Sequence, residues 1–196
     1  LQISAVGVNF PDALLVRGLY QVKPELPFVP GIECAGTVDA LGEGVSGFEV
    51  GDRVAAMSPG FGPYAQAVVV PASHAYRLPA SLEFTQAGGL LCAHCTAYHA
   101  LVQRGSLQAG ETLLVTGAAG GTGLAAVQIG CALGARVIAA CSTPEKLEVA
   151  KRHGAHAGIN TSQDDLRGAI RSLTGGNGAD GIFDPVGGEL GDTISR

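Results

Sequence analysis

The distribution of apolar and polar residues along the chain changes near residue 85. Before that point, short apolar runs at residues 1–8, 35–41, 53–57 and 64–70 are separated by glycine and proline. This pattern is typical of β-strands joined by tight turns. We therefore predict that residues 1–85 form an all-β domain.

After residue 85 the pattern becomes one of alternating helices and strands. A first apolar helix is predicted to extend through residue 101. It is followed by strands at 112–116, 136–141, 157–159 and 181–184 and by helices at 121–133, 144–153 and 164–174. Strands that alternate with helices form a parallel sheet of the α/β class. We therefore predict a Rossmann-type domain at residues 86–196, and we expect it to be incomplete at its C-terminus because a doubly wound sheet normally has two such halves.

A glycine-rich turn follows the first strand of this second region. Residues 113–124 read Leu-Leu-Val-Thr-Gly-Ala-Ala-Gly-Gly-Thr-Gly-Leu, which places a strand before the turn and a helix after it. Small residues let the backbone approach a pyrophosphate, and the first N–H groups of the helix face its negative charge. We therefore assign Gly120, Gly121, Thr122 and Gly123 to dinucleotide binding. The alternative is an ordinary glycine-rich turn between a strand and a helix.

The end of the second strand indicates which dinucleotide binds. In sites for NADH an acidic residue there accepts hydrogen bonds from the ribose hydroxyls, whereas this chain has Cys141, Ser142 and Thr143. Lys146 lies one helical turn beyond Ser142, where its charge can reach a 2′-phosphate. NADPH is therefore the predicted cofactor, with Ser142 and Lys146 among its ligands. The alternative is that Ser142 and Glu145 form a capping box and Lys146 only faces solvent.

Five separated motifs resemble those of a known family. They are the glycine-rich turn and the segments at 9–12 (Asn-Phe-Pro-Asp), 30–36 (Pro-Gly-Ile-Glu-Cys-Ala-Gly), 51–54 (Gly-Asp-Arg-Val) and 184–188 (Asp-Pro-Val-Gly-Gly). In the order in which they occur along the chain, they resemble medium-chain dehydrogenases/reductases of the quinone oxidoreductase and zeta-crystallin branch. The resemblance implies that residues 1–85 form a chaperonin-10-like catalytic β-barrel domain, which is expected to be incomplete, ahead of the Rossmann-type domain. It also implies NADPH-dependent transfer of hydride to a small electron acceptor, a quinone or an activated alkene.

The resemblance further implies that no catalytic zinc is bound. Zinc-dependent relatives carry a Gly-His-Glu triplet, whereas this chain has Ile32 in the position of the histidine. Asn9 and Asp12 occupy the segment in which those relatives carry a cysteine ligand. Cys92 matches the third ligand position, but one thiolate cannot form the three-ligand site that catalytic zinc needs. We therefore expect no metal and a small, buried Cys92.

Three residues of the N-terminal region are catalytic candidates by resemblance. Asn9 is expected near the nicotinamide ribose, and Tyr20 is expected to form part of the wall of the substrate cleft. Asp12 and Tyr20 are the nearby candidates for a general acid. The alternatives are that Asn9 and Asp12 are turn residues around Pro11 and that Tyr20 is a half-buried aromatic residue.

Three further residues complete the cofactor site by resemblance. Thr96 is expected beside the nicotinamide, with a packed helical hydroxyl as the alternative. Val186 and Gly187 are expected to approach the nicotinamide after the fourth strand. Thr161 stands where relatives carry a tyrosine on the adenosine side, which leaves the stacking of the adenine open.

Composition and charge restrict the partners. The net charge is −5 and there is no block rich in lysine or arginine, so we expect no nucleic-acid partner. No apolar run reaches the roughly 20 residues of a membrane helix, so we expect no membrane partner. The five cysteines are scattered and follow no signal peptide, which indicates reduced thiols and a cytoplasmic location, although a targeting segment ahead of Leu1 stays open. A homodimer is expected for the full-length protein.

Fold and cofactor do not determine the electron acceptor. The prediction is an NADPH-dependent oxidoreductase that reduces quinones without zinc. One alternative is an NADPH-dependent enal or enoyl-thioester reductase. The other is a nucleotide-binding protein without catalytic activity.

Overall fold

The computed structural model describes residues 1–194 and divides into two compact units. The first unit is Leu1–Cys92 and the second begins at Ala93. The boundary near residue 85 stays a prediction, and the last two residues of the predicted second domain, Ser195 and Arg196, lie outside the described residues. Within residues 1–194, no helix combines the length and the apolar character needed to cross a bilayer.

The first unit is built on a four-stranded antiparallel sheet. Its strands pair in the order β1-β2-β3-β4 and are Gln2–Val6 (β1), Glu33–Thr37 (β2), Arg53–Met57 (β3) and Ala75–Arg77 (β4). Ala35 and Ala55 lie opposite each other in the central pair and are buried together with Ala87. Because these side chains are small, larger residues such as Leu82 and Phe84 pack directly against this centre.

Two of the strands predicted in this unit differ from those observed. The strand predicted at residues 35–41 is β2, which begins at Glu33 and ends at Thr37. The strand predicted at residues 64–70 is wrong as a regular strand, because this segment makes a single bridge between Ala67 and Gln2. The side chain of Val69 in this run is 95% exposed, so the apolar sequence does not mark a buried face. Strand β4, which was not predicted, takes the fourth position instead.

A short helix follows β1. It is Phe10–Val16 (α1), and Asn9 stands at its N-cap with Pro11 in the first turn. Proline is tolerated there because the first N–H groups of a helix have no intrahelical partner. The Asp12 carboxylate accepts a hydrogen bond from the Asn9 N–H at 2.8 Å, which satisfies one of those groups. The interpretation of Asn9 and Asp12 as turn residues is therefore wrong, since they begin a helix.

The apolar helix predicted to extend through residue 101 is interrupted. Its parts are Phe84–Ala87 (α2) and Leu90–Tyr98 (α3), and a turn of π-helix at His99–Arg104 follows α3. The residues between α2 and α3 are Gly88 and Gly89. Glycine is a poor helix former because of its conformational freedom, which accounts for the break.

The second unit contains a four-stranded parallel sheet with helical connections, as predicted. Its strands pair in the order β7-β6-β5-β8 and are Thr112–Thr116 (β5), Arg136–Cys141 (β6), Ala157–Asn160 (β7) and Gly181–Phe183 (β8). The helices are Gly121–Ala132 (α4), Pro144–Arg152 (α5), Leu166–Leu173 (α6) and Gly188–Ile194 (α7). In chain order the strands run 3-2-1-4, which is the order of the first four strands of a dinucleotide-binding sheet. The carboxyl ends of β5, β6 and β8 therefore lie along one edge.

Apolar side chains cover both faces of this sheet. Leu113 and Val115 of β5 belong to one buried cluster, and Leu114 belongs to a second cluster with Leu166 and Ile170 of α6. Successive side chains of a strand point to opposite faces, so a strand buried on both sides consists of a continuous apolar run. The packing of β5 on both faces fixes the position of the loop that follows it.

Candidate functional site

The backbone approaches itself closely in the loop between β5 and α4. Gly117 has a φ of +56°, a left-handed conformation that favours glycine. A Cβ atom added to Gly123 would lie 2.3 Å from the Gly117 carbonyl oxygen. Glycine at position 123 therefore lets the first turn of α4 pack onto the loop.

The N-terminus of α4 offers hydrogen-bond donors. Gly120 has an extended conformation at the N-cap, and its own N–H donates to the Gly117 carbonyl at 2.8 Å. Within residues 1–194, the N–H groups of Gly121, Thr122 and Gly123 have no backbone acceptor, as expected for the first turn of a helix. A Cβ at Gly121 would meet no atom within 4 Å. Donors and open space therefore coincide, which suits an anionic group.

A cavity of about 530 Å³ lies at this edge of the sheet. The residues that line it are Gly117, Ala119, Gly120, Gly121, Thr122, Gly123, Ala140, Cys141, Ser142, Lys146, Thr161, Pro185, Val186 and Leu190. The structure thus brings together seven of the predicted cofactor residues, from the three places where β5, β6 and β8 are followed by helices. None of the lining residues is acidic, and the volume falls in the range of small-molecule sites. These features fit a phosphate-rich dinucleotide.

Lys146 and Ser142 meet at this cavity. The Lys146 Nζ donates a hydrogen bond to Ser142 Oγ at 3.0 Å. The capping residue of α5 is Thr143, whose side-chain oxygen accepts from the Lys146 N–H at 3.4 Å, so the alternative in which Ser142 and Glu145 form a capping box is wrong. Ser142 and Thr143 both carry a hydroxyl on Cβ, and Thr143, which is nearer the helix, is the cap. The Ser142 hydroxyl is thereby left at the cavity, beside an ammonium group.

The loop after β8 is held by a residue that the sequence analysis did not assign to the site. One carboxylate oxygen of Asp184, Oδ1, accepts hydrogen bonds from Thr116 Oγ1 and from the N–H groups of Val186 and Gly187, the latter two at 3.1 Å. Burial raises the pKa of the Asp184 carboxyl, but these three hydrogen bonds outweigh it and hold the pKa below its ordinary value. Val186 lines the cavity, whereas Gly187 does not. An acid directly after a strand at the loop edge of the sheet was the signal that could have identified Asp184.

The first unit contains a network of polar side chains around a buried glutamate. Glu33 is 1% exposed, and its two oxygens accept from the Asn9 side-chain amide at 2.8 Å and from the Cys92 N–H at 2.9 Å. A Cβ added to Gly7 would lie 2.2 Å from Glu33 Oε1, so glycine makes room for the carboxylate. The predicted site residue Asn9 is therefore committed, through its amide, to Glu33.

Tyr64 extends this network to Asp12. The Tyr64 hydroxyl donates to Asp12 Oδ2 at 3.0 Å. Burial, followed by the hydrogen bond to Asp12, raises the pKa of Tyr64 to about 12. Asp12 is 3% exposed, so the carboxyl proposed as a general acid is buried. Sequence reasoning did not find Tyr64 and quoted Glu33 only as part of a motif, because contacts across 24 and 52 residues leave no local pattern.

The remaining predicted residues lie outside the cavity lining. Tyr20 is half-buried in the first unit, and Thr96 is exposed on α3. Cys92 is half-buried rather than buried, which corrects that expectation. Within residues 1–194, no group of three or more histidine, cysteine, aspartate or glutamate side chains is placed to hold a metal ion.

Comparison with known proteins agrees with this architecture. Residues 1–80 match the family described as the alcohol dehydrogenase GroES-like domain, and residues 121–195 match the family described as zinc-binding dehydrogenase. A GroES-like domain followed by a Rossmann-type nucleotide-binding domain defines a class of two-domain oxidoreductases. The chain belongs to the medium-chain dehydrogenase/reductase superfamily.

The relatives and solved structures that it resembles include quinone oxidoreductases. It is 41% identical over 189 residues to a quinone oxidoreductase-like protein 2 homolog from Nematostella vectensis, covering 96% of this chain and 52% of the relative. The structure of Escherichia coli quinone oxidoreductase complexed with NADPH matches with a TM-score of 0.90 and 34% identity, over 98% of this chain and 59% of that one. The CurK enoyl reductase matches with a TM-score of 0.90 and 30% identity, over 99% and 60%. The chain spans about half the length of the curated relatives that it matches.

Proposed function

We propose that this chain forms the larger part of an NADPH-dependent oxidoreductase that reduces quinones without catalytic zinc. The observation that carries the proposal is the Lys146–Ser142 pair, with its 3.0 Å hydrogen bond, at a cavity that begins at the glycine-rich loop. A lysine and a hydroxyl suit a 2′-phosphate, which is the group that distinguishes NADPH from NADH.

Different residues of the second unit would bind different parts of the cofactor. The free N–H groups of Gly121, Thr122 and Gly123 would bind the pyrophosphate, and the positive end of the α4 dipole would support them. Lys146 and Ser142 would hold the 2′-phosphate, and Val186 would form part of the wall near the nicotinamide. When bound, the dihydronicotinamide supplies the hydride. The protein contributes orientation and the exclusion of water.

Zinc independence is supported by the first unit. Ile32 has no lone pair to offer, and both oxygens of the neighbouring Glu33 already accept hydrogen bonds. Stabilisation of a negative charge on the acceptor would therefore come from N–H groups, the nicotinamide ribose hydroxyl or water. The roles expected by resemblance for Asn9, Tyr20 and Thr96 stay predictions.

Cofactor titration of the intact protein tests the proposal. NADPH and NADH are titrated by fluorescence into the parent protein, a Lys146→Ala variant and a Lys151→Ala control. Lys151 is exposed on the same helix and pairs with Glu148 at 2.9 Å, away from the cavity. We expect Lys146→Ala to lose about 1.5–3 kcal/mol of NADPH affinity, the range for hydrogen bonds to charged groups, with little change for NADH and none in the control. Equal losses for both cofactors would refute the assignment of Lys146 to the 2′-phosphate.

A second candidate function is reduction of enals or enoyl thioesters. The similarity to the CurK enoyl reductase favours it, since both chains share the fold at 30% identity. Steady-state assays with naphthoquinones and with alkenals separate the two, because the better acceptor has the higher kcat/KM. Tight NADPH binding without turnover of either acceptor would instead favour a nucleotide-binding protein without catalytic activity.

A further inference from the structure

Asp184 links the loops that follow two neighbouring strands. Thr116 is the last residue of β5 and is fully buried. Asp184 follows β8, which pairs with β5 in parallel. The Thr116 hydroxyl donates to Asp184 Oδ1, and the same oxygen accepts the N–H groups of Val186 and Gly187 at 3.1 Å each. One carboxylate oxygen therefore connects the end of the central strand to the backbone of the loop after β8.

This connection determines where Val186 lies. A Cβ added to Gly117 would lie 2.8 Å from Val186 Cγ2, so the valine packs directly onto the glycine-rich loop. The side chain of Val186 is 57% exposed, and burial of that side chain therefore contributes little to holding it in place. The hydrogen bonds from the backbone of Val186 and Gly187 to Asp184 provide the constraint instead.

The surrounding residues leave space for the carboxylate. A Cβ added to Gly191 of α7 would lie 2.8 Å from Asp184 Oδ2. Glycine at this position lets the helix pass close to the acid without displacing it. The charged form of Asp184 is stabilised by its three donors, which agrees with the lowered pKa of this carboxyl.

We propose that Asp184 and Thr116 form a positioning pair for the dinucleotide cavity. By fixing the loop after β8, the pair holds Val186 against Gly117 and so maintains one wall of the cavity for a nicotinamide dinucleotide. This inference rests on the proposed function. It adds to the cofactor site two residues that do not contact Lys146 or Ser142, the proposed ligands of the 2′-phosphate. The pair acts on the shape of the cavity, so it contributes equally to the binding of NADPH and NADH.

The test compares Thr116→Val with Thr116→Ser in the intact protein. Valine has the shape of threonine without the donor, whereas serine keeps the hydroxyl. Without cofactor, amide hydrogen exchange at Val186 and Gly187 is measured. With cofactor, dissociation constants for NADPH and NADH are measured well below the unfolding temperature, and the titration endpoint counts the folded sites.

We expect Thr116→Val to speed exchange at both amides and to raise both dissociation constants by about fivefold or more, which corresponds to about 1 kcal/mol. We expect Thr116→Ser to restore protection and affinity. Asp184→Asn is a second variant that keeps a carbonyl acceptor but loses the charge, and it should weaken both cofactors in the same direction. It serves as the test if Thr116→Val does not fold.

Three results would contradict the proposed positioning role of Asp184 and Thr116, each for a different reason. If the variants lower the unfolding temperature but change neither dissociation constant by more than about twofold, the pair stabilises the sheet and has no positioning role. If only NADPH binding suffers, the effect belongs to the 2′-phosphate and the inference is wrong. If the parent protein binds neither cofactor, the proposed function fails, and the inference falls with it; the parent titration distinguishes this case from the other two.

Discussion

Gly121 and Gly123 of α4 differ sharply in the space around them. Replacing each with alanine should therefore change the stability of the protein by different amounts. A Cβ at Gly123 would lie 2.3 Å from the Gly117 carbonyl oxygen, 2.8 Å from its carbon and 3.0 Å from the Ala118 Cα. The shortest of these contacts is about 1.2 Å below the roughly 3.5 Å at which non-bonded atoms attract best. The obstacles are backbone atoms, so the loop itself has to move. A Cβ at Gly121 would meet nothing within 4 Å.

The magnitude follows from two opposing effects. Replacing glycine by alanine in a helix is intrinsically favourable by up to about 1 kcal/mol, and both variants share that gain. Overpacking at a tight site costs about 1–3 kcal/mol, and only Gly123→Ala incurs that cost. We therefore expect Gly123→Ala to be less stable than Gly121→Ala by about 1–3 kcal/mol.

Thermal unfolding of the intact protein measures this difference. Each kcal/mol corresponds to about 2–4 °C in Tm for a protein of 150–250 residues, so Gly123→Ala should melt at least about 2 °C below Gly121→Ala. Displacement of the loop should also weaken the binding of NADPH and NADH together. Equal melting temperatures for the two variants would show that the loop accommodates a methyl group, and the close approach would then have no energetic meaning.

Three further predictions follow from the polar groups and the cysteines. Tyr64→Phe removes a donor to the buried Asp12 carboxylate, so urea denaturation should show a loss of about 1–3 kcal/mol; an unchanged midpoint would contradict a stabilising role for this bond. The pKa of Asp184 is lowered from 3.8, so its contribution to stability is complete when the pH is well above 3.8 and is lost as the pH falls through the folded-state pKa; on acidification Tm should fall more steeply in the parent than in Asp184→Asn. Burial raises the pKa of the Cys34 thiol, whereas Cys95 is exposed, so Ellman's reagent at neutral pH should modify Cys95 rapidly and Cys34 slowly. Persistence of the fast reaction in a Cys95→Ser variant would show that this interpretation is wrong.

The parallel sheet and the glycine-rich loop could be predicted from sequence because their signals are local. The buried strand β5 is a continuous apolar run, and the glycines that follow it stand directly before a helix. Lys146 and Ser142 are only four residues apart, on either side of the start of α5, so the signal for their contact is local in sequence. These features require no knowledge of distant parts of the chain.

The first unit was predicted less well because its determinants are not local. Glu33 meets Asn9 and Cys92 only after the sheet and helices have packed. The apolar run at residues 64–70 suggested a strand, but hydrophobicity alone does not show whether a segment is buried. Pro11 suggested a turn, although proline is also favoured in the first turn of a helix. Only the burial of a segment such as residues 64–70 depends on tertiary contacts that the sequence does not display.

The hydrogen bond between Lys146 and Ser142 has an electrostatic consequence. Within the described part of the chain, Lys146 forms no salt bridge, and its side-chain partner is an uncharged hydroxyl. The positive charge is therefore not neutralised before a ligand arrives. A dianionic phosphate that enters the cavity is therefore attracted to a lysine that no carboxylate of residues 1–194 neutralises. Because Lys146 and Ser142 are exposed to solvent, dissolved salt screens this attraction. The ratio of NADPH affinity to NADH affinity should therefore decrease as the ionic strength rises.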